Sequence, residues 1–321
     1  MRATLVAACL LVLGAGTAQA QDRYPNRTVR IVVPSSPGGV TDILARVIGN
    51  GLSQVWGQPV VIDNRPGADG QLGLDTVAKS PGDGYTLLVS SDASFTAGPH
   101  LHKEQRYDTR KDFTPIMALG DITPVLNVPA SLPVYSVTDL IALAKSKPGQ
   151  LNYASFGNGT YAHLSFEDLK QRTGMNIMHV AYKGSTPAIT ALLRGEVSTL
   201  IVNMSNVADH VKAGTIRIIA AAGEKRPVSR PDLPTIAESG VPGFSTGAWW
   251  GLFAPANLPR EVTDKIRESV AGVLATPEAK RLYETNTIEA VDKTPDEFAG
   301  LIRRDYDHWG ALIKSVSVKI E

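Results

Sequence analysis

Short runs of β-branched and aliphatic residues alternate along the chain with stretches whose apolar positions recur every three or four residues. Val29-Arg30-Ile31-Val32-Val33 predicts a strand, and from Asp42 to about Val55 the residues Ile43, Leu44, Val47, Ile48, Leu52 and Val55 share a helical face. Val60-Val61-Ile62 predicts a second strand. Leu72 to Lys79 predicts a helix stopped by Ser80-Pro81-Gly82, and Asp83-Gly84 turns the chain into a third strand from Tyr85 to Ser90. Strands and helices that alternate in this way argue for a parallel sheet with helical crossovers.

The same grammar resumes after Asp121. Val125 to Val128, Leu151 to Ser155, Ile177 to Ala181, Val197 to Val202 and Ile216 to Ala221 read as strands. Ser136 is placed to cap a helix through Lys145, with Asp139 as its capping-box partner and Pro148-Gly149 as the stop. Further helices are expected to begin near Thr160, Thr186-Pro187 and Ser205. Thr276-Pro277 and Thr294-Pro295 each join a hydroxyl cap to a proline at the first helical position. Trp249 to Ala254 is the last clear strand, and the remainder is mostly helical. The final helix carries Phe298, Leu301, Ile302, Tyr306 and Trp309 on one face, as docking to a core requires. No short repeat occurs, but each half opens with a strand, a loop rich in glycine and hydroxyl residues, and a helix.

Residues 1–20 break this pattern. Arg2 precedes an apolar run from Leu5 to Leu13, and Ala18-Gln19-Ala20 offers small residues at a cleavage site, so a secretory signal removed before Gln21 is expected. The run is about half of what a bilayer crossing needs. Cys9 after Val6-Ala7-Ala8 leaves lipid attachment as an alternative, although the apolar core continues past it. Cleavage would remove the single Cys. An exported, soluble, disulfide-free protein is the expectation.

The full chain has 321 residues, 43% of them hydrophobic, which allows about two domains with their own cores. Thirty-two Lys and Arg against 31 Asp and Glu, with neither sign in long blocks, argue against nucleic acid and against anionic lipid as partners. One Cys and six scattered His leave no ligand set for a structural zinc, so neither metal nor cofactor is expected.

Two loops carry the candidate chemistry: Val33-Pro34-Ser35-Ser36-Pro37-Gly38-Gly39-Val40-Thr41-Asp42 and Ser155-Phe156-Gly157-Asn158-Gly159-Thr160-Tyr161-Ala162-His163. Each lies between a strand and a helix. There the first helical N–H groups lack partners and the helix dipole turns its positive end outward. Glycines admit a close approach, hydroxyls add donors, and neither loop contains Arg or Lys, so each suits an anion held by dipoles. In a parallel sheet such loops gather at the carboxyl ends of the strands. A tight turn with no ligand remains the plainer alternative for either loop alone. Ser91, following the third strand, Lys183 and Ser185, following the Ile177 strand, and Asn203, following the Val197 strand, are secondary candidates. Trp249-Trp250 suits core or hinge packing better than ligand stacking.

Enzyme signatures are weak. Gly157-Asn158-Gly159-Thr160-Tyr161-Ala162 fits a dinucleotide fingerprint, but the acid expected about 20 residues on is absent. No G-x-S-x-G, H-E-x-x-H or Walker sequence occurs. Ser36, Asp42 and His163 have no triad spacing, and no catalytic residue is assigned. His163 either packs and caps or bonds a ligand oxygen.

The stretch from Pro34 to Asp42 with Ala45-Arg46 resembles the P-G-G-x-x-D-x-x-A-R opening of the periplasmic solute-binding proteins of the tripartite tricarboxylate transporter system, the Bordetella uptake gene family. The resemblance continues through Val60 to Ala68, Gly82 to Leu88, Gly157 to His163, Ala181-Tyr182-Lys183-Gly184 with Pro187-Ala188, and Trp250 to Pro255. It implies an α/β, two-lobed periplasmic binding protein fold, type II-like, each lobe a mainly parallel sheet flanked by helices. The first lobe would hold 22–121 and 246–321, the second 122–245, with a hinge near Gly120-Asp121 and Gly243 to Gly247. It further implies a non-enzymatic, monomeric receptor that captures a small organic carboxylate, a dicarboxylate among the candidates, and delivers it to membrane permease subunits. Carried over by position, the ligand would meet Ser36, Gly38, Gly39 and Asp42 in one loop and Gly159, Thr160 and His163 in the other. Ser35 departs from the family, where an aromatic is common, and makes this loop more polar. An exported α/β enzyme acting on a carboxylate or ester through Ser36 or His163 is the alternative.

Overall fold

The computed structural model describes residues 24–67, 70–102, 106–291 and 293–316. The expected signal segment, residues 1–20, lies outside the described residues. The chain forms β1 (Val29–Val33), α1 (Val40–Trp56), β2 (Val60–Asn64), α2 (Gln71–Ala78) and β3 (Thr86–Ser91), then a π-helical turn (Ala93–Ala97) running into α3 (Gly98–Leu101). β4 (Phe113–Ile122) passes almost directly into β5 (Pro124–Pro129). There follow α4 (Val137–Ser146), β6 (Asn152–Ser155), α5 (Tyr161–Thr173), β7 (Met178–Ala181), α6 (Ser185–Leu193), β8 (Thr199–Asn203), α7 (Met204–Lys212) and β9 (Ile216–Ala221). β10 (Ala248–Pro255), α8 (Arg260–Leu274), α9 (Pro277–Asn286) and α10 (Pro295–Val316) complete the chain.

These elements build two five-stranded sheets, ordered β2-β1-β3-β10-β4 and β7-β6-β8-β5-β9. The orders correspond position by position, which gives the two-fold echo of the sequence a physical form. In each sheet four strands point the same way and one runs against them: β10 in the first, β5 in the second. The cause is connectivity. β5 enters the second sheet straight from the end of β4, and β10 returns to the first sheet from the second, so each enters at the end where its new neighbours finish.

Burial on both faces drives the packing. Ile31, Val33, Leu44, Ile48, Leu52, Leu87, Val89 and Leu252 pack with Ile266 and Val270 of α8 on one face of the first sheet. Val32, Leu88, Phe95, Phe253, Phe298 and Ile302 fill its other face beneath α2 and α10. The second sheet is enclosed by Tyr153, Phe166, Leu169 and Ile201 on one side and by Ala188, Leu192, Leu200 and Val207 on the other. The last helix does more than dock. Trp309, Leu312 and Ile313 of α10 meet Leu164 of α5, so it bridges the two sheets.

Most boundaries fall within one to three residues of the sequence reading. The caps at Ser136 and Thr276 form as expected, through bonds from the amides of Asp139 and Ala279. Asp139 reaches back to the Tyr135 amide rather than to that of Ser136. Thr186 is not a cap, because α6 has already begun behind Gly184.

Candidate functional site

The strand directions decide where the two loops lie. β4 runs with β1 and β3, so its carboxyl end at Ile122 marks the carboxyl ends of the first sheet. Pro124, two residues on, pairs with Asn203 at the carboxyl end of β8, and β8 runs with β6 and β7. Ala248 of β10 pairs with Ile122 at the same place. The carboxyl ends of both sheets therefore meet across one pair of crossing strands. The loops after β1, β3, β6, β7 and β8 open onto the space between them.

In the first loop Gly38, at φ 93°, turns the chain as only glycine does readily. Its amide donates to Asp42 Oδ2 at 2.9 Å, Arg46 Nε donates to the same oxygen at 2.9 Å, and Asn64 Nδ2 donates to Oδ1 at 2.9 Å and to the Ser35 carbonyl at 3.2 Å. Asp42 is thus buried and spent on the loop itself. Burial would raise its pKa, but the bonds from Arg46, Gly38 and Asn64 outweigh that and hold it below the usual carboxylate range. The amides of Val40, Thr41 and Asp42 have no acceptor among the described residues, and no side chain caps α1. Thr41 Oγ1 accepts from Trp250 Nε1 at 3.0 Å, which ties this helix start to β10.

The second loop repeats the plan. Gly157 and Gly159 have φ of 136° and 76°. The Gly159 amide donates to His163 Nδ1 at 3.0 Å, and Thr160 Oγ1 donates to the Gly157 carbonyl at 2.8 Å. The amides of Tyr161, Ala162 and His163 again have no acceptor among the described residues, and α5 is uncapped by any side chain. α6 and α7, starting behind Gly184 and Asn203, are uncapped as well. Among the helices distant from this opening, α4 and α9 carry hydroxyl caps, while α8 does not.

Two buried polar atoms point the same way. Ser35 Oγ in the first lobe and Asn203 Oδ1 in the second have no hydrogen-bond partner among the described residues. Such atoms cost free energy until something bonds to them. At the base of the opening Asp92, just past β3, is buried, and burial together with the neighbouring Asp305 pushes its pKa up to about 8. The phenol of Tyr161, at the start of α5, is held neutral by burial, and Asp92 adds to that effect, so the two lobes touch electrostatically here. A small cavity of about 140 Å³ beside them is lined by Asp92, Thr246, Trp249 and Asp305.

Residues 44–318 match the family model described as the tripartite tricarboxylate transporter family receptor. The chain belongs to this family. Protein BugT of Bordetella pertussis is 35% identical over 301 residues, covering 94% of this chain and 92% of BugT. The R. palustris protein Rpa4515, solved with adipate, is 36% identical with a TM-score of 0.74, covering 92% of this chain and 99% of that one. MatC of Rhodopseudomonas palustris, with bound malate, is 29% identical with a TM-score of 0.72, covering 90% and 100%. The two-lobed solute-binding fold of this receptor family is the fold of the chain.

Within this receptor the predicted positions separate by role. Ser36, Gly38 and Gly39 are exposed on the first loop, and Ser35 lies half-buried behind them. Ser91 ends β3 beside Trp250 of β10. Thr160 and Ser185 are half-buried at helix starts, Asn206 Nδ2 donates to Ser185 Oγ at 3.3 Å, and Lys183 is exposed. The amides of Gly38 and Gly159 are already taken by Asp42 and His163. Ser36, Asp42 and His163 form no triad, since Asp42 and His163 serve different loops and each is bonded to its own. Asn64, Tyr161, Ser155 and His179 were not singled out from sequence. Asn64 and His179 act across neighbouring strands, and strand order leaves no trace in a one-dimensional pattern.

Proposed function

We propose that this chain is a periplasmic receptor that captures a small organic dicarboxylate between two lobes, residues 22–121 with 246–321 and residues 122–245, and hands it to membrane permease subunits. One arrangement supports the reading: the uncapped starts of α1 and α5, with the orphaned Ser35 Oγ and Asn203 Oδ1, follow the carboxyl ends of the two sheets, which meet at the crossing strands. Two dipole sites on opposite walls suit a ligand with a carboxylate at each end. The adipate and malate bound by relatives are of this kind. Each charge-assisted hydrogen bond contributes about 1.5–3 kcal/mol, so four supply about 6–12 kcal/mol to offset the entropy lost on association. A ligand touching both lobes favours the closed arrangement, which is the signal a permease needs.

A thermal-shift screen against short mono- and dicarboxylates, with mass analysis of the bound and released acid, tests this. A diacid should raise the melting temperature by mass action and come off unchanged. No response to any acid, or a chemically altered one, would overturn the reading.

A further inference from the structure

Behind the second loop lies a stack of rings that contact with ligand does not require. His163 of α5 and His179 of β7 are parallel, with centroids 4.0 Å apart and planes 6° apart. Tyr153 of β6 stacks on His179 at 4.9 Å and on Phe166 at 4.4 Å. His179 Nε2 lies 2.6 Å from Ser155 Oγ, and that hydroxyl also lies 3.0 Å from the Gly157 carbonyl. A hydroxyl has one proton to give. If Gly157 receives it, Ser155 must accept from His179, which fixes the His179 proton on Nε2. His163 Nδ1 accepts from the Gly159 amide, so the His163 proton is on Nε2 also. The bond from Gly159 requires a neutral His163, the bond to Ser155 makes His179 a donor from Nε2, and both glycines of the loop hang from the pair.

We propose that His179 and Ser155, together with the stacked His163 ring, are positioning residues that hold the Gly157–Gly159 loop in its anion-receiving geometry, and that protonating this stack releases the loop. The inference rests on the carboxylate reading of the cleft and adds its regulation. A proton on His163 Nδ1 sets N–H against the Gly159 N–H and breaks that bond. A proton on His179 sets a cation against the face of its neighbour. The surroundings favour the neutral form. Burial lowers the pKa of His163, and burial with the charge of His163 lowers that of His179 to about 4. Tyr153 on β6 and Glu167 and Lys170 on α5 are the other titratable groups facing the pair. Glu167 Oε1 accepts from Tyr153 at 2.6 Å and from Lys170 at 2.7 Å, so its charge is engaged elsewhere.

The sign separates this role from direct ligand contact. A histidine bonding an anion would strengthen binding on acidification; a histidine supporting the loop weakens it. Nitrogen-15 and amide NMR of the free protein should show the neutral His163 ring protonated on Nε2, and a Gly159 amide that shifts as the His163 ring titrates. In His163→Asn, whose Oδ1 replaces the acceptor without titrating, that shift should vanish. With adipate and malate as probes, calorimetry between about pH 7.5 and pH 5 should show roughly tenfold more affinity lost in the wild type than in His163→Asn, the value of one such bond. His179→Gln, which keeps a donor to Ser155, should leave the profile above pH 5 as in the wild type, because His179 is neutral there; if His163→Asn does not fold, the Gly159 amide titration of the wild type carries the test. A Gly159 amide indifferent to His163, or affinity rising on acidification relative to His163→Asn, would overturn the inference. If neither diacid binds at any pH, the carboxylate reading fails while the amide titration still decides the geometry.

Discussion

Asp42 Oδ2 accepts a hydrogen bond from the amide of Gly38, four residues before it, at 2.9 Å, and His163 Nδ1 accepts one from that of Gly159, also four residues before it, at 3.0 Å. In both lobes the first turn of a helix reaches back to a glycine in the left-handed region and fixes the approach of the loop. The later amides of the turn stay free. The first lobe uses an anion for this and neutralises it with Arg46; the second uses an uncharged ring. On the proposed reading an anionic ligand would meet dipoles at both loops, with the Asp42 carboxylate already engaged.

Asp42→Ala removes the acceptor of three bonds at once. Stability should fall by about 1–3 kcal/mol, because the Asn64 and Gly38 donors lose their partner, and carboxylate affinity should fall with it. The folded pKa of Asp42 lies below its ordinary value, so its contribution is present above the carboxylate range and lost as pH falls through the folded pKa. Acid titration of unfolding should therefore be shallower in the variant. An unchanged acid limb and unchanged affinity would show that the clamp is idle.

Gly39→Val separates binding from folding. Gly39 has φ −80°, and a Cβ there meets nothing within 4 Å, so valine fits the free protein without strain. Glycine is preferred to valine at a helix N-cap, so the melting temperature should fall by a few degrees at most, the effect of about 1 kcal/mol. The branched side chain would stand over the free α1 amides, and the thermal response to a diacid should be lost. A variant that still binds would move the site elsewhere.

Much of this was legible in the chain. The glycine-hydroxyl loops, the alternating elements and the caps at Ser136 and Thr276 rest on local chemistry, which sequence displays directly. The roles of Gly38 and Gly159 are half visible: their place at a helix start is plain, but that Asp42 and His163, four residues on, use up their amides depends on side-chain conformation, which spacing does not display. β4 was not anticipated because Thr114, Pro115 and Gly120 break its apolar alternation; the strand is held by its pairing with β10, some 130 residues away in sequence. His179 and Ser155 meet because β6 and β7 are neighbours, a fact of topology rather than of pattern.

Ser35→Ala should trade stability for binding. In the free protein Ser35 Oγ is buried without a partner, so its removal costs nothing there and is expected to stabilise by a few tenths of a kcal/mol to about 1 kcal/mol. If the hydroxyl serves the ligand, affinity for the diacid found by screening should fall about fivefold to tenfold. Denaturant melts and calorimetry on the same preparation read both. A destabilised variant with full affinity would mean that the hydroxyl is satisfied within the fold and takes no part in capture.

Asp92 supplies the clearest alkaline effect. Burial first, then the charge of Asp305, pushes its pKa up to about 8, while the amides of Ala93 and Trp249 partly offset the rise. A carboxyl whose folded pKa lies above its unfolded one stabilises the fold below the unfolded pKa, and that contribution is lost as pH rises through the folded value. Wild-type stability should thus decline from about pH 4 to about pH 8 by the share of this group. Asp92→Asn keeps an oxygen for the Trp249 amide and cannot ionise. Its melting temperature should exceed that of the wild type by several degrees near pH 9, with the gap closing near pH 5, since about 1 kcal/mol corresponds to roughly 2–4 °C in a chain of this size. Trp249 lies on β10, one of the two strands that cross between the lobes, and its indole is held by Asp305 at 2.7 Å. Ionised Asp92 would press against that anchored strand, so the diacid affinity of the wild type should also drop near pH 9 and that of Asp92→Asn should not. Parallel melting curves and parallel affinities for the two proteins across this range would show that Asp92 is already ionised at neutral pH and places no load on the crossing strand.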